Sequence, residues 1–325
     1  MKNIAITGSN GFIGSTLTKI LKKKNYDVIS LVRHGSNIEL LPEDSNIVYI
    51  DYHKPDKIAE ILKDVEILIH TAALTRARTW QQFKEINVDL TEKLVDIFNE
   101  TKSLKQFVFI SSQAASGPAK NKIIPKIESD ECKPISMYGK SKFLAENIIK
   151  EKAKKPWTII RPVAVFGPGD KDFLQYFKLM KSHLAFITGF KKKYINLIYV
   201  NDLAEIISKT LGNEKAYNQV FFASNNEAYS LENFIQNLGS VMNTYSITIR
   251  VPEFLSYLIA LIGEFLSIFS KKPPIINREK IKELKEAYWL VNNEKAEKLL
   301  DFKPSKNIIQ NLQTTYNWYK EKKWI

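Results

Sequence analysis

Tyr138 and Lys142, four residues apart, can do proton chemistry together. On a helix that spacing puts them on one face. A phenol with a pKa of about 10 is a poor acid or base at neutral pH unless a cation sits beside it, and Lys142 supplies one. Tyr-x-x-x-Lys is a common pattern, and its weight here comes from its place in the chain. It follows Phe107-Val108-Phe109-Ile110-Ser111-Ser112, an apolar strand that ends in hydroxyls. Ligands bind outside the carboxyl ends of parallel strands, so Ser112 is placed to hydrogen-bond a substrate oxygen beside Tyr138.

A second group can hold a phosphate. Ile4-Ala5-Ile6-Thr7-Gly8-Ser9-Asn10-Gly11-Phe12-Ile13-Gly14 reads as a strand, a tight turn and a helix start. Gly8 permits the turn, Gly11 lets backbone approach a pyrophosphate, and Gly14 lets the helix pack against the strand. The amides of the helix start, around Asn10, Phe12 and Ile13, then face the anion with the positive end of the helix dipole. The spacing is G-x-x-G-x-x-G rather than the commoner G-x-G-x-x-G. At the end of the second strand, where a carboxylate would bond the ribose hydroxyls of NAD, the chain reads Leu31-Val32-Arg33-His34. Arg33 suits a 2′-phosphate, which favours NADP over NAD.

These groups need a parallel sheet to bring them together, and the pattern provides one. Strands are predicted at Asn3–Thr7, Val28–Val32, Ile47–Ile50, Ile67–His70, Phe107–Ile110, Thr158–Ile160 and Val220–Ala223. Amphipathic helices are predicted at Phe12–Lys24, Phe83–Glu100, Lys140–Lys154 and Asn201–Thr210. Alternation of this kind means an α/β fold, a Rossmann-type doubly wound parallel sheet with right-handed crossovers. We assign residues 1–167, with 196–223 returning to them, to an NAD(P)-binding domain. Residues 168–195 and 224–325, mostly helical in pattern from Tyr229 onward, form a smaller substrate-binding domain.

The bulk properties exclude several classes. With 325 residues, 44% hydrophobic, the chain can build a full core. Net charge is +13, yet 42 of the 48 basic residues are lysines and they are dispersed, which argues against a nucleic-acid surface. Cys132 is the only cysteine and no histidine lies near it, so no disulfide, no cysteine metal site and no thiol nucleophile are expected. A reducing, cytoplasmic compartment fits, and no signal peptide is visible. The apolar run Phe254–Ser270 is too short to span a bilayer. It reads as a buried or substrate-covering helix, in preference to an interfacial helix with Lys271-Lys272 at the headgroups.

In these motifs the chain resembles the extended short-chain dehydrogenase/reductase (NAD-dependent epimerase/dehydratase) family over nearly its whole length. To those above it adds Asp51 after the third strand, His70-Thr71-Ala72-Ala73 after the fourth, Asn87-Val88, Arg161-Pro162…Phe166-Gly167-Pro168-Gly169 and Ile198-Tyr199-Val200-Asn201-Asp202. The resemblance implies a catalytic triad of Ser112, Tyr138 and Lys142. It puts Asp51 and Tyr52 by the adenine, and Thr71, Ala72 and Ala73 along the cofactor. Pro162 and Val163 would approach the nicotinamide, and Asn87 would be a structural residue on the cofactor side. It implies reversible hydride transfer between a carbinol carbon and nicotinamide, with Tyr138 moving the hydroxyl proton. A homodimer built from Phe83–Glu100 and Lys140–Lys154 is expected by analogy.

Departures from the family pattern narrow the chemistry. Gln113-Ala114 stands where 4,6-dehydratases carry Asp-Glu, so no acid is present to expel water. Ala164 replaces an Asn that nucleotide-sugar epimerases tend to have after Arg161. Ile195-Asn196-Leu197 lacks the Arg they often place before the Tyr-Val-Asn-Asp motif. The pattern is closer to hydroxysteroid-dehydrogenase-like and dihydroflavonol-reductase-like members, and so to a small, apolar substrate. A nucleotide-sugar epimerase is the alternative, and a non-catalytic NAD(P)-binding sensor or scaffold is a third reading.

Overall fold

The computed structural model describes residues 2–267, 274, 276–305 and 307–325. Its centre is a seven-stranded sheet in the order β10-β6-β5-β4-β1-β2-β3, every pairing parallel. The strands are β1 (Asn3–Thr7), β2 (Asp27–Arg33), β3 (Asn46–Ile50), β4 (Ile67–His70), β5 (Gln106–Ile110), β6 (Trp157–Pro162) and β10 (Gln219–Ala223). The predicted strands all fall within these. Short apolar runs can enter a sheet buried on both faces, and β4 and β5 are buried at every residue.

Helices α1 (Phe12–Lys23) and α8 (Val200–Thr210) pack against each other on one face. On the other lie α2 (Pro55–Ile61), α4 (Leu90–Glu100) and α6 (Met137–Lys152), with the short α3 (Trp80–Phe83) and α5 (Gln113–Ser116) at the strand ends. Strand order reverses between β1 and β4, and a crevice at the carboxyl ends opens there. The predicted helix Phe83–Glu100 is interrupted by a π-helical segment, Lys84–Asp89, which turns Asn87 into the interior.

The second unit is mostly helical, as expected, and also carries two small sheets that the sequence pattern does not show. One joins β7 (Ala164–Phe166), β9 (Tyr194–Tyr199), β11 (Ala228–Ser230) and β13 (Tyr288–Trp289). The other pairs β8 (Leu184–Thr188) with β12 (Ile247–Val251). These strands are short and pair across long stretches of sequence, so local periodicity does not announce them. Because β9 belongs to this unit, the chain returns to the large sheet with α8 at Val200 rather than at 196. Helices α7 (Phe173–Lys181), α9 (Leu231–Met242) and α13 (Ile308–Glu321) enclose a third apolar core, and α12 (Glu294–Leu300) packs near β10.

The remaining helices, α10 (Glu253–Ser267) and α11 (Arg278–Lys285), form a hairpin, and α10 overturns the expectation of a buried helix. Only Ser256, Ala260 and Ser267 of α10 are buried, whereas Phe254 is 75% exposed. Its small residues sit inward and its large apolar ones outward. Residues 268–270 of the predicted apolar run, and Lys271-Lys272 after it, lie outside the described residues. Among the described residues no helix is long and apolar enough to cross a membrane.

Candidate active site

The glycine turn lies between the ends of β1 and β4. Gly8 has φ +69°, and a Cβ there would stand 2.7 Å from the backbone of Ala72. At Gly14 a Cβ would stand 2.2 Å from the Gly8 carbonyl oxygen, so α1 can approach β1 only as glycine. Gly11 is the N-cap of α1, with no side-chain cap and no acid in the first turn. The amides of that turn are therefore left to an anion. These are the features a dinucleotide pyrophosphate needs. Asn10 steadies the turn by donating to the Asn37 carbonyl at 2.9 Å.

The β4 end is tied to β1. The Thr71 hydroxyl donates to the Thr7 carbonyl at 2.7 Å, and Thr7 Oγ1 lies 2.7 Å from His70 Nδ1. His70 is enclosed, with Nε2 3.1 Å from Thr91 Oγ1, and burial, with the nearby Lys142 charge, pushes its pKa down to about 3. It is a neutral strut. Asn87 accepts from the Leu74 amide at 2.8 Å and donates to the Leu74 carbonyl and to Ser141 Oγ, both at 2.9 Å. It pins the loop after β4 to the helix that carries Tyr138 and Lys142.

Where the expected adenine-side residues fall, Arg33 ends β2 in register with Ile50, the residue before Asp51. Asp51 accepts from the His53 amide at 2.9 Å, which lowers its pKa. Tyr52 is pushed up to about 12 by burial, with Arg33 and Thr7 acting the other way. The Val163 side chain packs in the core at 5% exposure, which leaves its backbone to face the crevice. Its amide donates to the Ala223 carbonyl at 3.1 Å.

Ser112, Tyr138 and Lys142 are positioned by α5 and α6. Ser136 caps α6 by accepting from the Gly139 amide at 3.0 Å. A Cβ at Gly139 would stand 2.3 Å from the Ala114 carbonyl oxygen, so this glycine lets α6 meet α5. The contact brings Tyr138 beside Ser112, which favours the ionised phenol, and Ser112 itself caps α5 by accepting from the Ala114 amide at 3.1 Å. Burial raises Tyr138 to about 12, and burial lowers Lys142 to about 7. Both shifts express a dry site, where an ion pair between them is worth far more than in water. The Lys142 ammonium lies 3.9 Å from the Phe109 ring centroid.

Several groups escape a reading of the sequence. Glu146, one turn after Lys142, is fully buried; it accepts from Arg161 Nε at 2.9 Å and Nη2 at 2.6 Å and from Ser111 Oγ at 2.5 Å. Its charge favours the cationic form of Lys142. The i,i+4 spacing is the available signal. Cys132 takes a structural place, receiving Arg161 Nη2 at 3.1 Å.

From the far end of the chain, α11 reaches over this site. Glu283 accepts from Ser136 Oγ at 2.7 Å, and Glu279 from the Met137 amide at 2.7 Å. Lys280 and Glu283 act electrostatically on Tyr138, and no spacing in the sequence announces them. A cavity of about 810 Å³ opens beside the β4 end, lined by Ala73, Arg76, Lys171, Leu174, Lys178 and Trp324. Arg76 is paired with Asp172.

The fold and site define a class of nicotinamide-dinucleotide enzyme, and comparison with known proteins places the chain within it. Residues 4–221 match the NAD dependent epimerase/dehydratase family, and the chain belongs to that family. It is 30% identical to the UDP-glucose 4-epimerase of Vibrio cholerae, over 77% of this chain and 79% of that one. The ceramide reductase of Caulobacter vibrioides is 23% identical over 99% of this chain and 96% of its own. Among solved structures, gox2253 superposes with a TM-score of 0.81 at 22% identity, covering 99% of both chains. MoeE5 in complex with UDP-glucuronic acid and NAD reaches 0.78 at 18% identity, over 98% of this chain and 99% of that one. The chain is thus a dehydrogenase/reductase or epimerase with the expected Rossmann-type fold.

Proposed function

We propose that the protein interconverts a ketone and a secondary alcohol on a small, apolar substrate, using NADP in preference to NAD. The observation that carries this reading is the state of Asn196 and Leu197, at the place where an arginine would meet a sugar-nucleotide diphosphate. Asn196 is spent inside the protein, donating to the Glu227 carbonyl at 2.8 Å and accepting from the Val291 amide at 2.7 Å, and Leu197 is fully buried. Gln113 and Ala114 leave no carboxylate next to Ser112, which speaks against dehydration. Relatives of matching length, such as the ceramide reductase, support an apolar substrate.

In this proposal the turn from Gly8 to Gly14 holds the cofactor pyrophosphate, Arg33 the 2′-phosphate, and Asp51 and Tyr52 the adenine side. Thr71, Ala72 and Ala73 line its path, with Pro162 and the Val163 backbone toward the nicotinamide. The bound cofactor supplies or accepts the hydride. In reduction, Ser112 holds the carbonyl oxygen and the Tyr138 hydroxyl gives that oxygen its proton as negative charge develops. In oxidation, the Tyr138 phenolate takes the proton back. Lys142 stabilises the phenolate by its charge, and Asn87 and Glu146 keep the helix and the lysine in place.

Two observations favour a second reading, NAD-dependent nucleotide-sugar epimerisation: the 30% identity to an epimerase and the basic lining of the cavity. A reductase consumes added NADPH or NADH with a ketone, whereas an epimerase shows no net turnover of cofactor. The test is a substrate panel read at the nicotinamide absorbance, together with thermal shifts in NAD, NADP and nucleotide sugars. Tyr138→Phe is expected to lower turnover by about 10²–10⁴ while cofactor binding stays nearly intact. Full activity in that variant would end the catalytic assignment, and stabilisation by a nucleotide sugar alone would favour the epimerase. Arg33→Ala is expected to weaken NADP binding and spare NAD binding. A cytoplasmic location and a homodimer through α4 and α6 belong to the same proposal, and sedimentation mass tests the dimer.

A further inference from the structure

The outward face of α10 is apolar over an unusual arc. At 100° per residue, Leu261, Phe254, Leu258, Ile262, Leu255 and Ile259 follow one another around about 160° of the helix. All six are between 37% and 75% exposed. The opposite side, Ser256, Ala260 and Ser267, is the buried side. A helix packed on a protein core needs an apolar stripe about 100° wide, and this one faces inward with small residues instead. The surface continues beyond the helix. Phe190 is 68% exposed, and its carbonyl accepts from Arg250 Nη1 at 3.2 Å, two residues before the helix approach at Pro252. The ribbon leading into α10 also exposes Phe186, Ile247 and Ile249.

Lysines stand near the start of α10, whose own acids are paired. The two acids of α10 are neutralised, Glu253 by Lys285 at 3.1 Å and Glu264 by Arg278 at 2.8 Å. Lys191 and Lys192 are exposed directly after Phe190, and the whole chain carries +13. We propose that this face docks on an anionic lipid bilayer, with α10 lying in the plane of the interface. The arc is wider than one rigid partner helix covers, whereas fluid acyl chains follow it fully, and the lysines meet the phosphates. The 15 described residues of α10 make about 22 Å of helix, and the proposal lays that stretch in the plane of the interface. The docking side is coupled to the site. Helix α10 packs on α11, and α11 holds Ser136 and Met137 through Glu283 and Glu279. A bilayer on α10 thus lies one helix away from the end of α6 that carries Tyr138. The proposal extends the apolar-substrate reading, yet it is tested without turnover and stands or falls separately.

The test is co-sedimentation of the full chain with phosphatidylcholine vesicles that contain or lack phosphatidylglycerol. Strong binding to the anionic vesicles is expected, weakened by raising salt from about 0.1 M to about 0.5 M. The double variant Leu258→Asp, Ile262→Asp puts two carboxylates in the middle of the arc and is expected to bind at least about tenfold more weakly. Both positions are exposed, and an unchanged thermal shift with cofactor shows that the variant is folded. The variant is expected to match the wild type in sedimentation mass. Absence of vesicle binding in the wild type overturns the proposal, as does equal binding by the variant. A wild type that self-associates where the variant does not overturns it as well, in favour of a second copy on this face.

Discussion

Replacing Glu146 by Gln separates the two tasks of this buried carboxylate. The amide keeps the side-chain shape, but Arg161, 1% exposed, loses the carboxylate that pairs with it. Breaking a buried pair from one side costs about 3–5 kcal/mol, because the remaining charge stays desolvated. A lower urea midpoint with an unchanged denaturant slope is the expected result. The second effect falls on Lys142, one helical turn away. Two charges roughly 6 Å apart at an effective dielectric constant of about 20 interact by about 2.8 kcal/mol, or about two pKa units. The Lys142 pKa, about 7 with Glu146 present, should drop accordingly in the variant. In the reducing direction Tyr138 stays protonated throughout this range, so the rate falls as pH rises through the Lys142 pKa. The fall should therefore move to lower pH in the variant. Stopped-flow or steady-state pH profiles read this directly. If the profile overlays the wild type while stability falls, Glu146 serves the fold alone and its coupling to Lys142 is refuted. Unchanged stability as well would refute the buried-charge account.

Other outcomes follow from single distances. Gly14→Ala places a methyl 2.2 Å from the Gly8 carbonyl oxygen and should abolish cofactor binding in calorimetry, with a loss of stability of about 1–3 kcal/mol from forced backbone movement. His70, held neutral with a folded pKa of about 3, lies below its unfolded value, so the unfolded chain binds the proton first. Stability is then fully present above about pH 6.5 and is lost toward pH 3 at up to about 1.4 kcal/mol per pH unit from this residue. His70→Gln should flatten that part of a urea-midpoint series against pH, and an unaltered slope would place the acid sensitivity elsewhere. Asn87→Ala should cut turnover and stability together, since it frees the Leu74 backbone and Ser141 at once; retained activity with lost stability would limit Asn87 to the fold.

Much of the large sheet is readable residue by residue because its signals are local. The runs around Ile4, Ile67 and Phe107 are continuous apolar strands bounded by turn residues, and Gly8, Gly11 and Gly14 obey a spacing set by backbone sterics. The Tyr138–Lys142 pair is readable for the same reason, since one turn of helix fixes which side chains share a face. Small strands such as Ala228–Ser230 and Tyr288–Trp289 are not, because these are two or three residues long and gain their stability from a distant partner.

By itself, then, the sequence determined the parallel sheet, the glycine turn and the Tyr138–Lys142 pair on one helix face, all governed by local geometry and short spacing. Tertiary structure alone decided what surrounds them. It seals Lys142 beside Glu146, commits Asn196 to the backbone of the second unit, and brings Glu279 and Glu283 onto the start of α6 from more than a hundred residues away. It also reversed the reading of α10. Hydrophobicity says that a helix must be covered, but only packing says whether this chain covers it, and here the large side chains of α10 face outward.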